Sequence, residues 1–472
     1  MNSKLKQGNL QYEKVEGYSR TKTTRSKVLC LNNFSNISQN LKDLDNLEHN
    51  ICLRGSGITY ADMILNNDNA ILDFKECNKI IKWSSELGQI TVQSGVTLGS
   101  ILQICHMSGW HLNACPGSPK ITVGGAVSNN VHGKESHTFG NFGSQVKSMK
   151  ILTADGEEQI ISPLDGAEIF NGIVGGIGLV AIILEVTLQL TKISSPFVEV
   201  KTEICENIFD ICSKLDEDDG YSFKVAWCDA FAEGTSLGRG YISKAAWLRN
   251  DNSVDADRLK ESLTPSSKVL NIFPTKAFWK CGRPFFKPFT IRQINRFIYH
   301  KTQKDLRLKG VNVSEMLFSS FNFVHNRLPN MNDVYRPYGF VEIQPIIPRS
   351  AGHHAVKELI MLCQKEGWQS LLCGIKRHSK DPFLLSFEGD GYSIGIDISL
   401  RGRDRSEVIK TANKIYDFII ECGGKVYLAK DELLTRRHFE MMYPRADKFW
   451  TLKNKMDPKR LLMSDMARRL FL

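Results

Sequence analysis

The sequence lacks any apolar stretch long enough to span a bilayer. Its longest, Gly172 to Leu184, stops at Glu185, short of the roughly 20 residues that a spanning helix needs. Metal and disulfide spacings are missing too: the 12 cysteines stand singly, at positions such as 30, 52, 77, 105, 115 and 205, with no C-x-x-C pair. That argues against a zinc or disulfide scaffold and for reduced thiols in a cytosolic setting. Residues Met1 to Ser35 are polar and rich in Lys and Arg, so they supply no apolar core of a secretory signal. The expectation is a soluble protein, or one peripheral to a membrane at most.

Proline is sparse, 15 against 36 glycines, and with 42% hydrophobic and 24% charged residues the composition is globular, excluding collagen-like or wholly disordered chains. A length of 472 residues implies two or more packed units. The net charge of +10 could suit a phosphate-bearing partner, but it is scattered rather than gathered into a basic block, and no nucleic-acid partner is expected.

From Asn50 to Leu190, short β-branched runs alternate with glycine: Gln89 to Gly95, Ile121 to Asn130, Met149 to Gly156 and Leu179 to Leu190. Brief helices such as Leu98 to Gly109 lie between them. This predicts an α+β unit, with Gly55, Gly57, Gly124 and Gly125 in loops rather than helix interiors. Beyond Lys192 the glycine density falls, predicting strands at Tyr221 to Asp229 and Gly339 to Ile347 and helices at Ala355 to Gly367 and Ser406 to Cys422. The predicted domains are 1–194, 195–411 and a returning segment 412–472. Between Val269 and Phe289, Ile272 and the aromatics Phe273, Phe278, Trp279, Phe285, Phe286 and Phe289 interleave with Lys276, Lys280, Arg283 and Lys287. Pro274, Pro284, Pro288 and Gly282 in this stretch predict a mobile basic-aromatic loop at 269–289.

Two glycine constellations carry chemistry. In Arg54-Gly55-Ser56-Gly57 the glycines let backbone amides approach an anion, although such a sequence taken alone is an ordinary turn. Tyr60 stands where G-x-G-x-x-G needs its third glycine, so a Rossmann site is not supported. The second set is denser: Pro116-Gly117-Ser118, then Thr122-Val123-Gly124-Gly125-Ala126, then Asn129-Asn130-Val131-His132-Gly133-Lys134. Its small residues would let a flat cofactor or a diphosphate lie against the backbone.

In order, R-G-S-G (54–57), P-G-S (116–118), T-V-G-G-A (122–126), H-G-K (132–134), L-T-A-D-G-E (152–157) and G-G-I-G-L-V-A-I-I-L-E-V-T-L (175–188) resemble the PCMH-type FAD-binding domain of the vanillyl-alcohol oxidase family. The later blocks Gly424 to Asp431, Met442 to Arg445 and Asp457 to Leu470 resemble its branch that oxidises decaprenylphosphoryl-β-D-ribose, and the likeness covers nearly the whole chain. The resemblance implies a two-domain α+β fold, with FAD held by the first domain and a substrate domain built on an antiparallel sheet. It also implies cofactor contacts from Arg54, Gly55, Ser56, Gly57, Pro116, Gly117, Ser118, Thr122, Gly124, Gly125, Asn129, His132, Gly133 and Ile177, with the amides of Thr122 to Gly125 on the diphosphate. Relatives that attach FAD covalently carry His in R-G-x-G-H; Ile58 stands there, so the FAD should be non-covalent.

Oxidising a secondary alcohol requires hydride transfer, proton removal and a fixed cation near the flavin carbonyl edge. The resemblance gives that cation to Lys430, with Tyr427 on the same segment. His132 is the candidate base or substrate-orienting group, since a neutral imidazole accepts a proton near neutral pH; a hydrogen-bonded structural histidine is the alternative. Tyr60, Lys134, Gln344, Lys376, Ser393 and Lys430 are the implied substrate residues, the lysines for phosphate. The pocket departs from the branch pattern at three places. Glu342 replaces one of two glutamines, Ser393 an asparagine and Gly395 a cysteine, which puts the identity of the sugar in doubt. The expected reaction is oxidation of a ring hydroxyl of a polyprenyl-phosphate pentose to the keto sugar, with a separate NAD(P)H-dependent short-chain reductase completing an epimerisation. The alternatives are an oxidase of a soluble alditol, aldonolactone or hydroxy acid, and a non-catalytic subunit of a glycan-assembly complex. The basic-aromatic segment could rest on an anionic bilayer or serve as a lid.

Overall fold

The computed structural model describes residues 11–249, 254–269, 273–309, 313–323, 326, 329–370 and 372–472. The fold is α+β, with the first part of the chain forming two sheets. One orders Tyr12–Glu16, Thr23–Cys30, Ala70–Asp73 and Ile51–Arg54, its last three strands parallel. The other is antiparallel and orders Ile80–Ser84, Gln89–Gln93, Ile182–Gln189, Val146–Leu152 and Glu158–Ile161. Ile182–Gln189 sits at its centre because its β-branched and leucine side chains are buried on both faces. The parallel strand Ile51–Arg54 ends directly at the Gly55–Gly57 loop.

An eight-stranded sheet dominates the second part, in the order Val313–Leu317, Phe197–Cys205, Gly240–Trp247, Phe223–Cys228, Cys373–His378, Gly391–Ile394, Pro345–Pro348 and Lys425–Val426. Helices Ile208–Asp216, Gly352–Lys365 and Arg405–Glu421 cover one of its faces. The anticipated division at 411/412 falls inside the last of these helices, which Asp404 caps. The chain then adds its strand to the large sheet and passes through the turn Leu428–Lys430. It finally returns to the first part, where Leu461 and Met463 flank Ile51 in backbone hydrogen bonds and Arg469 pairs with Asp62 at 2.8 Å.

Several expectations need correction. The run Ile121 to Asn130 is no strand: Thr122, extended at φ −79°, caps a short helix Val123–Ser128 through its side chain, so Gly124 and Gly125 lie in a first helical turn. Glycine is needed there for closeness, since a Cβ on Gly124 would come within 2.9 Å of Ser94. The stretch Gly339 to Ile347 is two strands, Phe340–Ile343 and Pro345–Pro348, which belong to different sheets and break at Gln344.

The 269–289 segment is not an irregular loop. Phe273–Pro274 pairs with Lys268–Val269, and helices Thr275–Gly282 and Pro288–Lys309 follow, separated by a 3-10 turn Arg283–Phe285; residues 270–272, including Ile272, lie outside the described residues. The three prolines do not break these elements because each stands at a start: Pro274 before the first helix, Pro284 within the 3-10 turn, Pro288 opening the long helix. A missing N–H costs nothing at those places.

Candidate active site

A single cavity of about 810 Å³ runs between the glycine loops of the first part and the concave face of the large sheet. Its size suits an extended cofactor together with a small substrate. Its lining includes Arg54 to Tyr60 and Cys115 to Ser118 from the first part, and Glu342, Gln344, Lys376, Gly395, Tyr427 and Lys430 from the rest of the chain.

Among the described residues, no acceptor meets the backbone N–H groups of Gly55, Ser56, Gly57, Ile58 and Thr59, nor those of Gly117 and Ser118. Arg54 Nε is likewise buried without a partner. These amides line the cavity, and a row of unpaired N–H groups beside a buried, unpaired guanidinium nitrogen fits an anionic diphosphate. Gly57 holds φ +67°, with Arg54 packed where its side chain would be. Gly55 is fixed by crowding: a Cβ there would come within 2.2 Å of Thr122 Oγ1.

The amides of the T-V-G-G-A block behave otherwise. Val123 N donates to Val96 O and Gly124 N to Ser94 O, both at 2.8 Å, while Gly125 N faces Thr122 Oγ1 at 3.4 Å. The Val123, Gly124 and Gly125 donors are spent within the protein, so for these three the expectation that they bind the diphosphate is corrected, while the Thr122 N–H meets no backbone acceptor among the described residues. Thr122, Gly124, Gly125, Asn129 and Ile177 do line the cavity, as does Pro116. Asn129 keeps a buried, unpartnered Oδ1. Gly133 lies behind the wall, where its N–H donates to Ser136 Oγ at 2.9 Å and Glu135 fills the space a side chain would need.

At the opposite end, Lys430 Nζ donates to Glu342 Oε1 at 2.6 Å and stands 4.9 Å from the centroid of the Tyr60 ring. The Tyr60 ring is held against Tyr18 and Phe340. The N–H groups of Tyr60 and Ala61 both bond Ala429 O, tying the Lys430 turn to the first glycine loop. Burial raises the Glu342 carboxyl above its usual range, opposed by the charge of Lys430. Tyr427 donates its hydroxyl to Asn129 O at 3.1 Å and stacks on Phe387, so it braces the wall between the two halves.

His132 is buried, with Nδ1 3.5 Å from Lys376 Nζ and Nε2 3.3 Å from the Gln344 amide. Burial, then Lys376, His378 and Lys430, press its pKa well below the usual imidazole value, so the ring is neutral. A neutral ring carries one N–H. With Lys376 donating to Nδ1, that proton sits on Nε2 and is satisfied when Gln344 presents Oε1, the amide atom that otherwise lacks a partner. Lys376 is itself lowered to about 8, by burial and then by the charge of Lys430.

Two sequence-predicted substrate residues sit differently. Lys134 touches the cavity, but its ammonium donates at 2.8 Å to both Asn322 O and Asn322 Oδ1 and at 3.4 Å to Phe321 O. Asn322 in turn donates to Cys115 O and Pro116 O. Lys134 therefore clamps the end of the helix Phe318–Asn322 onto the Pro116 loop, while Lys376 and Lys430 face the cavity. Ser393 is fully buried behind Gln344, bonded to His378 Nε2 at 2.7 Å, and does not line the cavity. Sequence reading missed Asn322 and the orphaned amides of Ile58 and Thr59. It also missed His378, whose ring packs 4.8 Å from that of His132.

The whole arrangement fits a flavoprotein: glycine loops with unpaired backbone amides, a cation and a neutral imidazole all face one cavity. Residues 27–162 match the family model described as an FAD binding domain, and residues 241–470 match that of D-arabinono-1,4-lactone oxidase. The chain is 28% identical to decaprenylphosphoryl-beta-D-ribose oxidase from Mycolicibacterium smegmatis, over 97% of both proteins. It is 22% identical to L-gulonolactone oxidase from Bos taurus, over 88% of each. Against L-gulono-1,4-lactone dehydrogenase from Mycobacterium tuberculosis it is 21% identical, over 88% of this chain and 89% of that one. The chain belongs to this family of FAD-dependent oxidoreductases, as its motifs indicated.

Proposed function

We propose that the protein oxidises a ring hydroxyl of a polyprenyl-phosphate-linked pentose, at C2 of a β-D-ribose-like sugar, to the keto sugar, as the first half of an epimerisation. The observation that carries this reading is the convergence of Lys376, Lys430 and neutral His132 on the same cavity as the glycine loops. Full-length likeness to a decaprenylphosphoryl-ribose oxidase supports the choice of substrate class.

Bound FAD supplies the two-electron acceptor for the carbinol hydride. Lys430 places a positive charge where the reduced cofactor gains negative charge, held in place by Glu342 and the Tyr60 ring. Lys376 meets the substrate phosphate. In turning to that phosphate, Lys376 frees Nδ1 of His132, and this lone pair, with Nε2–H held by Gln344, accepts the proton of the reacting hydroxyl. Ile58 at the covalent-attachment position supports a non-covalent cofactor. An NAD(P)H-dependent reductase would then consume the keto sugar.

Peripheral membrane contact belongs to the same reading. Among the described residues no helix is long and apolar enough to cross a membrane. Along the predicted loop and its continuation, however, Phe285, Phe289 and Phe297 are 68%, 75% and 66% exposed beside exposed Lys280, Lys287, Arg296, Lys301 and Lys304. Trp279 links this surface to the cavity, donating to Pro329 O and packing with Tyr335 and Phe340 in one cluster with Tyr60. Aromatics among cations at a cavity mouth suit an anionic bilayer that delivers a polyprenyl tail.

Anaerobic mixing with farnesylphosphoryl-β-D-ribose tests the reaction. The wild-type flavin should bleach, while Lys430→Ala should retain FAD and bleach at least about a hundredfold more slowly. Near-normal bleaching of the variant would remove Lys430 from the chemistry. The alditol and aldonolactone alternative draws on the lactone-oxidase family match and is favoured if a neutral polyol bleaches the flavin and the phospholipid sugar does not.

A further inference from the structure

Two glycines, Gly374 on the strand Cys373–His378 and Gly395 at the break between the strands Gly391–Ile394 and Ile396–Ser399, line the cavity beside Glu342. Neither is required by the backbone. Neither has a positive φ, and a Cβ would meet nothing within 4 Å at Gly374 and only ordinary contacts at Gly395. Gly391, four residues earlier, is different, because its Cβ would strike Ile347 O at 2.4 Å. The space at Gly395 is therefore a slot within the cavity rather than a packing necessity.

The slot has a definite chemistry. The three atoms nearest the Cβ position of Gly395 are all oxygens: Glu342 Oε1 at 3.6 Å, Leu372 O at 3.7 Å and Gly374 O at 3.9 Å. Leu372 O accepts from Gly374 N and Gly374 O from Gly395 N, which leaves each carbonyl a second lone pair. Glu342 Oε1 accepts from Lys430, and among the described residues nothing donates to its second oxygen. A group entering here meets acceptors only, so it must donate.

We infer that this slot is a subsite for a neutral hydroxyl or hydroxymethyl substituent of the sugar, read by Glu342 and the Leu372 and Gly374 carbonyls; the inference rests on the proposed sugar-oxidase reading and specifies it. A hydroxyl is preferred over an amine because Lys376 and Lys430 already crowd the region with positive charge. Glu342 is thereby a specificity residue as well as the counterion of Lys430. A glutamine in its place would offer the same shape with one acceptor and no charge.

The test titrates FAD-loaded wild type, Gly395→Cys and Glu342→Gln anaerobically with farnesylphosphoryl-β-D-ribose, its 2-, 3- and 5-deoxy counterparts, and the alditols ribitol and xylitol, reading Kd from the concentration dependence of the bleaching rate for ligands that reduce the flavin and from the flavin difference spectrum for those that do not. In the wild type, one deoxy sugar should bind about tenfold or more weakly than the parent, the scale of a lost hydrogen bond to a charged group. That discrimination should fall below about threefold in both variants. Equal weakening of every analogue, or discrimination that survives in both variants, would overturn the subsite. If the lipid sugars leave all spectra unchanged while alditol binding drops in Gly395→Cys and Glu342→Gln, the subsite stands and the lipid-sugar reading falls. Silence from both ligand classes overturns the two together.

Discussion

Truncating Lys430 strands Glu342, a carboxylate only 8% exposed. Breaking a buried ion pair costs about 3–5 kcal/mol when the remaining charge has no escape. Here Lys430 is 25% exposed along the cavity, and the stranded carboxyl can protonate, so the expected cost is nearer about 2 kcal/mol. With an unfolding entropy of about 2.1 cal/mol/K per residue, a chain of 472 residues loses roughly 1 °C of Tm per kcal/mol. Lys430→Ala at saturating FAD should therefore melt about 2 °C below wild type at pH 8. The sign of the pH dependence follows from the carboxyl: once its folded pKa lies above its unfolded value, the folded state holds the extra proton and the deficit shrinks as pH falls toward 5. The double variant Lys430→Ala with Glu342→Gln should recover most of the loss at pH 8, because no charge is left unpaired. Melting followed by circular dichroism reads all three proteins. An unchanged Tm for the single variant, or no recovery in the double, would refute the view that these groups depend on each other.

Other consequences can be checked independently. Gly55→Ala would bring a Cβ to 2.2 Å from Thr122 Oγ1, so the purified variant should carry well under half the FAD of wild type; full occupancy would remove the Gly55 loop from the cradle. Because Lys376 loses its charge near pH 8, binding of a phosphate-bearing sugar should weaken about tenfold per pH unit above that value while alditol binding stays level; parallel profiles would exclude Lys376 from phosphate recognition. Phe289→Ser with Phe297→Ser should abolish sedimentation with anionic phosphatidylglycerol vesicles and leave the flavin spectrum unaltered, and undiminished sedimentation would refute the membrane surface.

What could be read from sequence was local. The R-G-S-G and P-G-S loops are contiguous, and their glycines mark close approach wherever they stand, so the cradle was legible. Helix starts were not, because the prolines at 274, 284 and 288 look like breakers until capping geometry shows each at a first turn. The T-V-G-G-A amides were assigned to the cofactor because nothing local shows that Ser94 and Val96 have already claimed them. Lys134 was read as free for the same reason: its partner Asn322 lies 188 residues away, at the end of the helix Phe318–Asn322. Glu342 was noticed as a departure, but its role needed the 88-residue separation from Lys430 to close in space.

The central claim is that this chain holds FAD non-covalently and uses it to oxidise a sugar. The most direct measurement is an absorbance spectrum of the purified protein before and after acid precipitation, followed by anaerobic addition of farnesylphosphoryl-β-D-ribose to the intact protein. The account predicts a yellow protein whose colour passes into the acid supernatant, and bleaching when the sugar is added. A colourless protein that cannot be reconstituted with FAD would contradict it, as would colour retained in the precipitate or a flavin that the sugar leaves oxidised.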